Sequence, residues 1–353
     1  MAKFSDRTVL SNRAGSILRF IIEKHSETSM PVSSGMISSS QDCSLSPATI
    51  RNVMAELESA GFLTKAYHSA GRIPTEAGYR YFVGHMVDTI RIDSRTRKAI
   101  WQDILQYHGE LQGLLENTSR LLSKLSSWAG VVLAPRFAET KLQRISFVKL
   151  DSGNILVILV SQSEIVKSTI IHPDENYSEK DLVRAADYIN ARFAGFNLYE
   201  TGNALLAELQ SEKRMVDRYA GFLVDLNRKY FLDQLEAEEV YTGLTPDFFE
   251  KQSADNFEKL KSLYRALEEK RKLSSLLMDS TKEEGIHVWI GSENPLTESA
   301  DLSLIASKYA CKDRVVGSLG IIGPVRMNYQ KACTVVHNVA KYFGEKLSSV
   351  PIV

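Results

Sequence analysis

Residues 46–80 read SPATIRNVMAELESAGFLTKAYHSAGRIPTEAGYR, and their order decides how the first part of the chain folds. Ser46 followed by Pro47 is a strong helix start: a hydroxyl placed to accept from the first turn, then a proline whose fixed φ suits the first helical residue. Ile50, Val53, Met54 and Leu57 recur at three- and four-residue steps, the apolar stripe of a helix that Gly61 stops. The following FLTKAYHSAGRIPT reads as a hairpin with a small, cationic tip. Such a tip has no apolar face to bury, so it is suited to meet another molecule.

Upstream, Leu10, Ala14, Ile17, Leu18, Ile21 and Ile22 make a second helical stripe, Pro31 interrupts it, and VSSGMISSS can form a short helix with Met36 and Ile37 inward. Three closely connected helices and a hairpin are the order of a winged helix-turn-helix module, placed at residues 1–85. With its stripe inward, the third helix presents Ser46, Ala48, Thr49, Arg51 and Asn52 outward near its N-terminus, where a recognition helix reads the major groove. Arg can bond guanine, Asn adenine, and small apolar groups the thymine methyl. The Ser44 and Ser46 hydroxyls, with the helix N-terminus, can hold a phosphate. On the hairpin, Lys65, Tyr67, His68, Ser69 and Arg72 are the candidate wing contacts to the DNA backbone or minor groove. A solvated helix face and a plain charged hairpin are the competing readings of each part; the combination favours double-stranded DNA.

Composition sets bounds without naming a function. The chain has 353 residues, 44% hydrophobic and 24% charged, enough for two or three domains. The 43 basic residues are matched by 43 acidic ones, and residues 1–85 hold nine against seven, so the chain does not coat nucleic acid along its length. No window reaches the roughly 18 apolar residues of a membrane helix. MAKFSDRTVLSNR lacks the pattern of a secretory signal. Cys43, Cys311 and Cys333 are scattered and odd in number, against a disulfide framework or structural zinc and in favour of a cytoplasmic location.

Beyond the hairpin, residues 78–97 read as a helix running into the basic connector RIDSRTRK, and a long amphipathic helix is expected from Trp101 to residue 128. After Pro135, RISFVKL, NILVILV and EIVKSTII read as an antiparallel meander. Helices are expected over 178–235, 255–278 and 330–347, with strands at IHVWIG and VVGSLGIIG. Strands, helices, then strands again is the pattern of a helical subdomain inserted into an α+β domain. No catalytic set emerges. GSLGIIG lacks the following helix and the Lys-Ser/Thr of a phosphate loop, and His287, Glu293 and Asp301 have no metal-site or paired-carboxylate spacing. His172, beside Pro173, reads as a loop residue. No enzyme activity, cofactor or metal is expected.

LSPATIRNVMAELESAGFL and SAGRIPTEAGYRYFV, followed by IGSEN (290–294), LSLIASKY (302–309) and GSLGIIGPVRMNY (317–329), resemble the HrcA family of heat-inducible repressors of bacterial chaperone operons. The similarity runs at comparable spacing over essentially the whole chain. It implies an α+β multidomain fold: an N-terminal winged helix-turn-helix at 1–85, a connector at 86–100, and a GAF-like α+β domain at 101–173 and 238–353. A mainly helical dimerisation domain is implied at 174–237. The resemblance also implies a homodimer that binds the CIRCE inverted repeat upstream of groE and dnaK operons, is released on heat stress, and is tuned by the GroEL chaperonin. The chain departs from the family pattern at Ala66–Tyr67–His68, at Ser33–Ser34 and at Val53; the first falls on the wing and bears on operator preference. Two other readings compete: a ligand-sensing repressor with the GAF-like domain as receptor, and a winged helix that binds protein.

Overall fold

The structure is a computed structural model that describes residues 10–40, 45–66, 71–85, 92–135, 141–150, 153–162, 166–173, 175–197, 200–205, 222–223, 226, 239–245, 257–282, 284–296, 301–311 and 314–349. The chain opens with α1 (Asn12–Thr28), α2 (Ser34–Ser38), α3 (Pro47–Ser59), the antiparallel strands β1 (Leu63–Lys65) and β2 (Arg72–Pro74), and α4 (Glu76–Gly84). The stripes expected on α1 and α3 are buried together: Ile17, Leu18, Ile21 and Ile22 meet Ile50, Met54 and Leu57, closed by Tyr79 and Phe82 of α4. Val32 adds a third strand position, exchanging backbone hydrogen bonds of 2.9 Å in both directions with Arg72.

A second body is built on a five-stranded antiparallel sheet. Its strands are β3 (Ala129–Leu133), β7 (Val240–Gly243), β8 (Ile286–Trp289), β9 (Leu302–Cys311) and β10 (Arg314–Pro324), in the order β7-β3-β10-β9-β8. Helices α6 (Leu111–Ser126) and α10 (Tyr329–Ser349) pack on one face, and α8 (Phe257–Glu268) and α9 (Lys270–Asp279) on the other. Side chains alternate between the faces: Leu304, Ala306 and Ile322 join the α8–α9 side, Ile305, Leu319 and Ile321 the α10 side. Both faces are therefore covered, and β9, absent from the sequence expectation, is buried along nearly its whole length, Ser303 and Ser307 included.

Helix α6 sits unusually close to the sheet. Gly130 and Gly243 are register partners on β3 and β7, and a Cβ at either would stand 2.0–2.4 Å from the Ser119 carbonyl oxygen. The paired glycines form a saddle in which the helix backbone rests. The single helix expected over 101–128 is instead broken. A π-helical turn (Trp101–Leu105) follows α5 (Ser94–Ile100), and α6 begins only at Leu111. The carbonyls freed at the break are taken up: Asn117 Nδ2 donates to Asp103 O at 2.5 Å and Lys346 Nζ to Leu105 O at 3.1 Å.

Between β3 and β7 the chain leaves the body to form β4 (Leu142–Lys149), β5 (Ile155–Ser161), β6 (Val166–Ile171) and α7 (Glu179–Phe193). The three strands make their own antiparallel sheet, as the expected meander, with Ile145, Val157 and Leu159 buried alongside Leu182, Ile189 and Phe193 of α7. Among the described residues β4–β6 pair with each other and with no strand of the five-stranded sheet, and the described residues at 179–193, 200–205, 222–223 and 226, inside the expected helical stretch, are helical. Much of the helical stretch expected up to residue 235 lies outside the described residues. Along the outer edge of β4, the Asn190 amide accepts from Ile145 N at 2.7 Å and donates to Ile145 O at 2.9 Å. Leu142 likewise exchanges backbone hydrogen bonds of 2.7 and 2.8 Å with Gly195 and Phe196.

A methyl group on the glycine saddle would force α6 off the sheet. Gly243→Ala is expected to lower stability by roughly 1–3 kcal/mol, read as a lower denaturation midpoint; an unchanged midpoint would refute the close seating.

Candidate DNA-binding surface

Helix α3 is built by its N-terminus. Ser46 Oγ accepts from Thr49 N at 3.2 Å and lies 2.9 Å from Thr49 Oγ1, with Pro47 at the first helical position. Two of the five expected reading residues, Ser46 and Thr49, are thus engaged in capping the helix, and with Ile50 N donating to Ser46 O at 3.0 Å and Pro47 lacking an N–H, most first-turn donors are already used. Ile50, Val53, Met54 and Leu57 point into the module, while Ala48, Arg51, Asn52, Ala55 and Ser59 are exposed on the opposite side. Among the described residues Arg51 and Asn52 make no hydrogen bond or ion pair, so their donors are available in full. Ala48 and Ala55 flank them and let a flat partner approach the helix closely.

The hairpin is strapped to the far end of the same helix. Arg72 donates from both Nε and Nη2 to Glu58 Oε2 at 2.8 Å, and Lys65 Nζ lies 3.8 Å from Glu58 Oε1. The two cations differ in freedom. The Arg72 side chain is only 16% exposed and is held by its carboxylate, whereas that of Lys65 is 63% exposed and its pairing is long. Lys65 is available to an outside anion and Arg72 is chiefly structural. Tyr67, His68 and Ser69 lie outside the described residues, as does Ser44. Sequence reasoning missed Glu58, whose signal was a carboxylate on the last turn of a helix that runs into a cationic hairpin.

Nothing in the body gathers into a catalytic or metal site among the described residues. Glu293 is paired with Arg80, His172 Nδ1 lies 2.7 Å from Asn154 Oδ1, and His287 stacks beside Trp289. No group of three or more His, Cys, Asp or Glu side chains there is disposed to hold a metal. The Cys333 thiol is buried and pushed up to about 12 by desolvation, far from a reactive thiolate. Glycines of GSLGIIG lie inside β10, where Gly320 lets the strand pass the Ile305 carbonyl; a Cβ there would be 2.1 Å from that oxygen. No described helix is long and apolar enough to cross a membrane.

Comparison with known proteins bears on the whole chain. Residues 112–333 match the family model described as the HrcA protein C terminal domain. A protein of Geobacter sulfurreducens named heat-inducible transcription repressor HrcA is 35% identical over 340 residues, 96% of this chain and 99% of its own length. Relatives with the same name from Xanthomonas euvesicatoria pv. vesicatoria and Shouchella clausii are 33% and 32% identical, covering 98% and 96% of this chain and 98% and 99% of their own lengths. A solved structure described as a hypothetical protein at 2.2 Å resolution superposes with a TM-score of 0.66 at 20% identity, covering 96% of this chain and 99% of that one, which shows a shared fold.

The strap between α3 and the hairpin has a direct readout. Glu58→Ala is expected to speed amide exchange across β1 and β2 while α3 keeps its protection; equal protection in the variant would show that the ion pairs do not hold the hairpin.

Proposed function

The chain belongs to the HrcA family of heat-inducible transcription repressors, and from that premise we propose that residues 1–85 are a winged helix whose third helix reads the major groove of an operator. The observation that carries this is the unpaired, exposed Arg51 and Asn52 on the N-terminal half of α3, flanked by alanines and backed by a fully buried stripe. In this reading Arg51 and Asn52 contact base edges, and Ala48 touches base methyls. Ser46 and Thr49 shape the phosphate-facing helix start. Lys65, Tyr67, His68 and Ser69 form the wing contacts, and Arg72 positions the wing through Glu58.

The operator proposed is the CIRCE inverted repeat of groE and dnaK operons, gripped by a homodimer and released on heat, with GroEL tuning the active form. An inverted repeat needs two readers related by a twofold axis. The excursion between β3 and β7 offers a surface for that contact. The inner face of its sheet is covered by α7, while the outer face carries Val148, Leu156 and Ile170 in one register row across three strands. Val148 is 45% and Ile170 52% exposed, a row that a second copy would cover. For the body we propose a GAF-like scaffold rather than a ligand receptor. Its sheet is packed on both faces by the chain's own helices, with Tyr309 donating to Leu133 O at 2.6 Å and its ring 4.7 Å from Phe343.

Fluorescence anisotropy on a duplex carrying the repeat, beside a scrambled duplex, tests the reading. Asn52→Ala and Arg51→Ala are each expected to lose about 1–3 kcal/mol of binding to the repeat with little change on the scrambled duplex. Lys65→Ala should weaken both alike and reduce the salt slope by about one. Equal affinity of the unaltered protein for both duplexes would sink the operator assignment. Ile170→Lys is expected to yield monomers in sedimentation; an intact dimer would place the interface elsewhere.

A further inference from the structure

The N-terminal module is attached to the body through contacts that the reading surface does not use. Arg80 of α4 donates from Nε to Glu293 Oε1 at 2.8 Å, pairs through Nη2 with Glu293 Oε2, and donates from the same nitrogen to Val288 O at 2.6 Å. The Glu293 carboxylate is itself fixed beforehand, because Oε2 accepts from Ile290 N at 3.0 Å. One turn earlier on α4, Glu76 accepts from the backbone and hydroxyl of Ser292 at 3.2 and 2.5 Å. Between these two points Tyr79 is buried, its hydroxyl 2.8 Å from His25 Nδ1 and its ring 5.5 Å from that of Tyr329 at the start of α10. A single face of α4 therefore meets β8, the turn after it, and the root of α10.

That attachment is stiff on the module's side. Thr75, which caps α4, donates to Gly61 O at 2.6 Å and accepts from Gly78 N at 3.1 Å, tying α4 to the end of α3. The orientation of α4 on the body is accordingly the orientation of α3. Ala48, Arg51 and Asn52 stay exposed while these contacts are made, so the attachment orients the reading helix without covering it.

We propose that Arg80 and Glu293 act as positioning residues for operator reading: their ion pair sets the angle at which the body presents α3, and so selects the separation of half-sites that a dimer can grip. This rests on the proposed dimeric reading of an inverted repeat. Two linked readers gain affinity from each other only when geometry lets both engage. A loosened module would bind one half-site as before, bind the full repeat less tightly, and tolerate altered spacing.

The test measures anisotropy with an isolated half-site, the full repeat, and repeats whose spacer is lengthened or shortened by one or two base pairs. The unaltered protein is compared with Arg80→Glu, Glu293→Gln and the charge swap Arg80→Glu/Glu293→Arg. Both single variants are expected to lose about tenfold on the full repeat, to keep their half-site affinity, and to flatten the spacing optimum, with the swap restoring it. A full-repeat affinity and spacing optimum unchanged in the single variants, while the unaltered protein prefers the repeat, would overturn the positioning role alone. Loss of half-site binding in both single variants would also overturn it, since the pair would then be needed for folding. An unaltered protein with no preference for the repeat over a scrambled duplex would remove the repressor reading and this inference together.

Discussion

The pairing of β3 with β7 is the constraint on which the rest of the body depends. Leu133 lies opposite Val240 and Gly130 opposite Gly243, so the chain leaves and re-enters the sheet at neighbouring strands. Closing an excursion of about a hundred residues costs on the order of 4 kcal/mol in chain entropy. The closure is supported by the strand ladder, by Ala134 N donating to Glu239 O at 2.9 Å, and by α6 lying across both strands on the glycine saddle. Packing at Ser119 thus joins two things: it seats a core helix and it staples the root of the excursion. A body closed this way can carry a second small domain on its edge without disturbing the sheet behind it.

The same economy of contacts governs the first module. Glu58 draws Arg72 inward and leaves Lys65 near the surface, so one carboxylate separates a structural cation from an available one. On the same helix the cap, the apolar stripe and the exposed face follow each other within four turns, with no residue asked to serve both core and surface. Ser46 comes nearest to a dual role. Its hydroxyl is spent on Thr49, yet it stands exposed at the start of the helix.

What could be read from the sequence was what is local. The start at Ser46–Pro47, the stripes of α1 and α3, the hairpin and the β4–β6 meander depend on neighbours a few residues apart, and each stands where the pattern placed it. The strands β3 and β9 were missed because both their faces are buried, which removes the alternation that marks a half-exposed strand. A meander likewise has the same local signature whichever sheet it joins, so only strand pairing shows that β4–β6 form a sheet of their own. The break before α6 escaped notice because apolar spacing continues through it, while its stabilising partners, Asn117 and Lys346, come from elsewhere in the chain. The restraint on Arg72 by Glu58 is likewise non-local.

The Asn190 amide on β4 has a consequence for how the chain meets other chains. Strand β4 stands at the edge of its sheet, and an open edge is a template on which other chains can add strands. Asn190 occupies both backbone groups of Ile145, and residues 195–196 occupy those of Leu142, so half of that edge is already plugged by the chain's own atoms. An edge sealed from within offers other chains less of a template on which to add a strand.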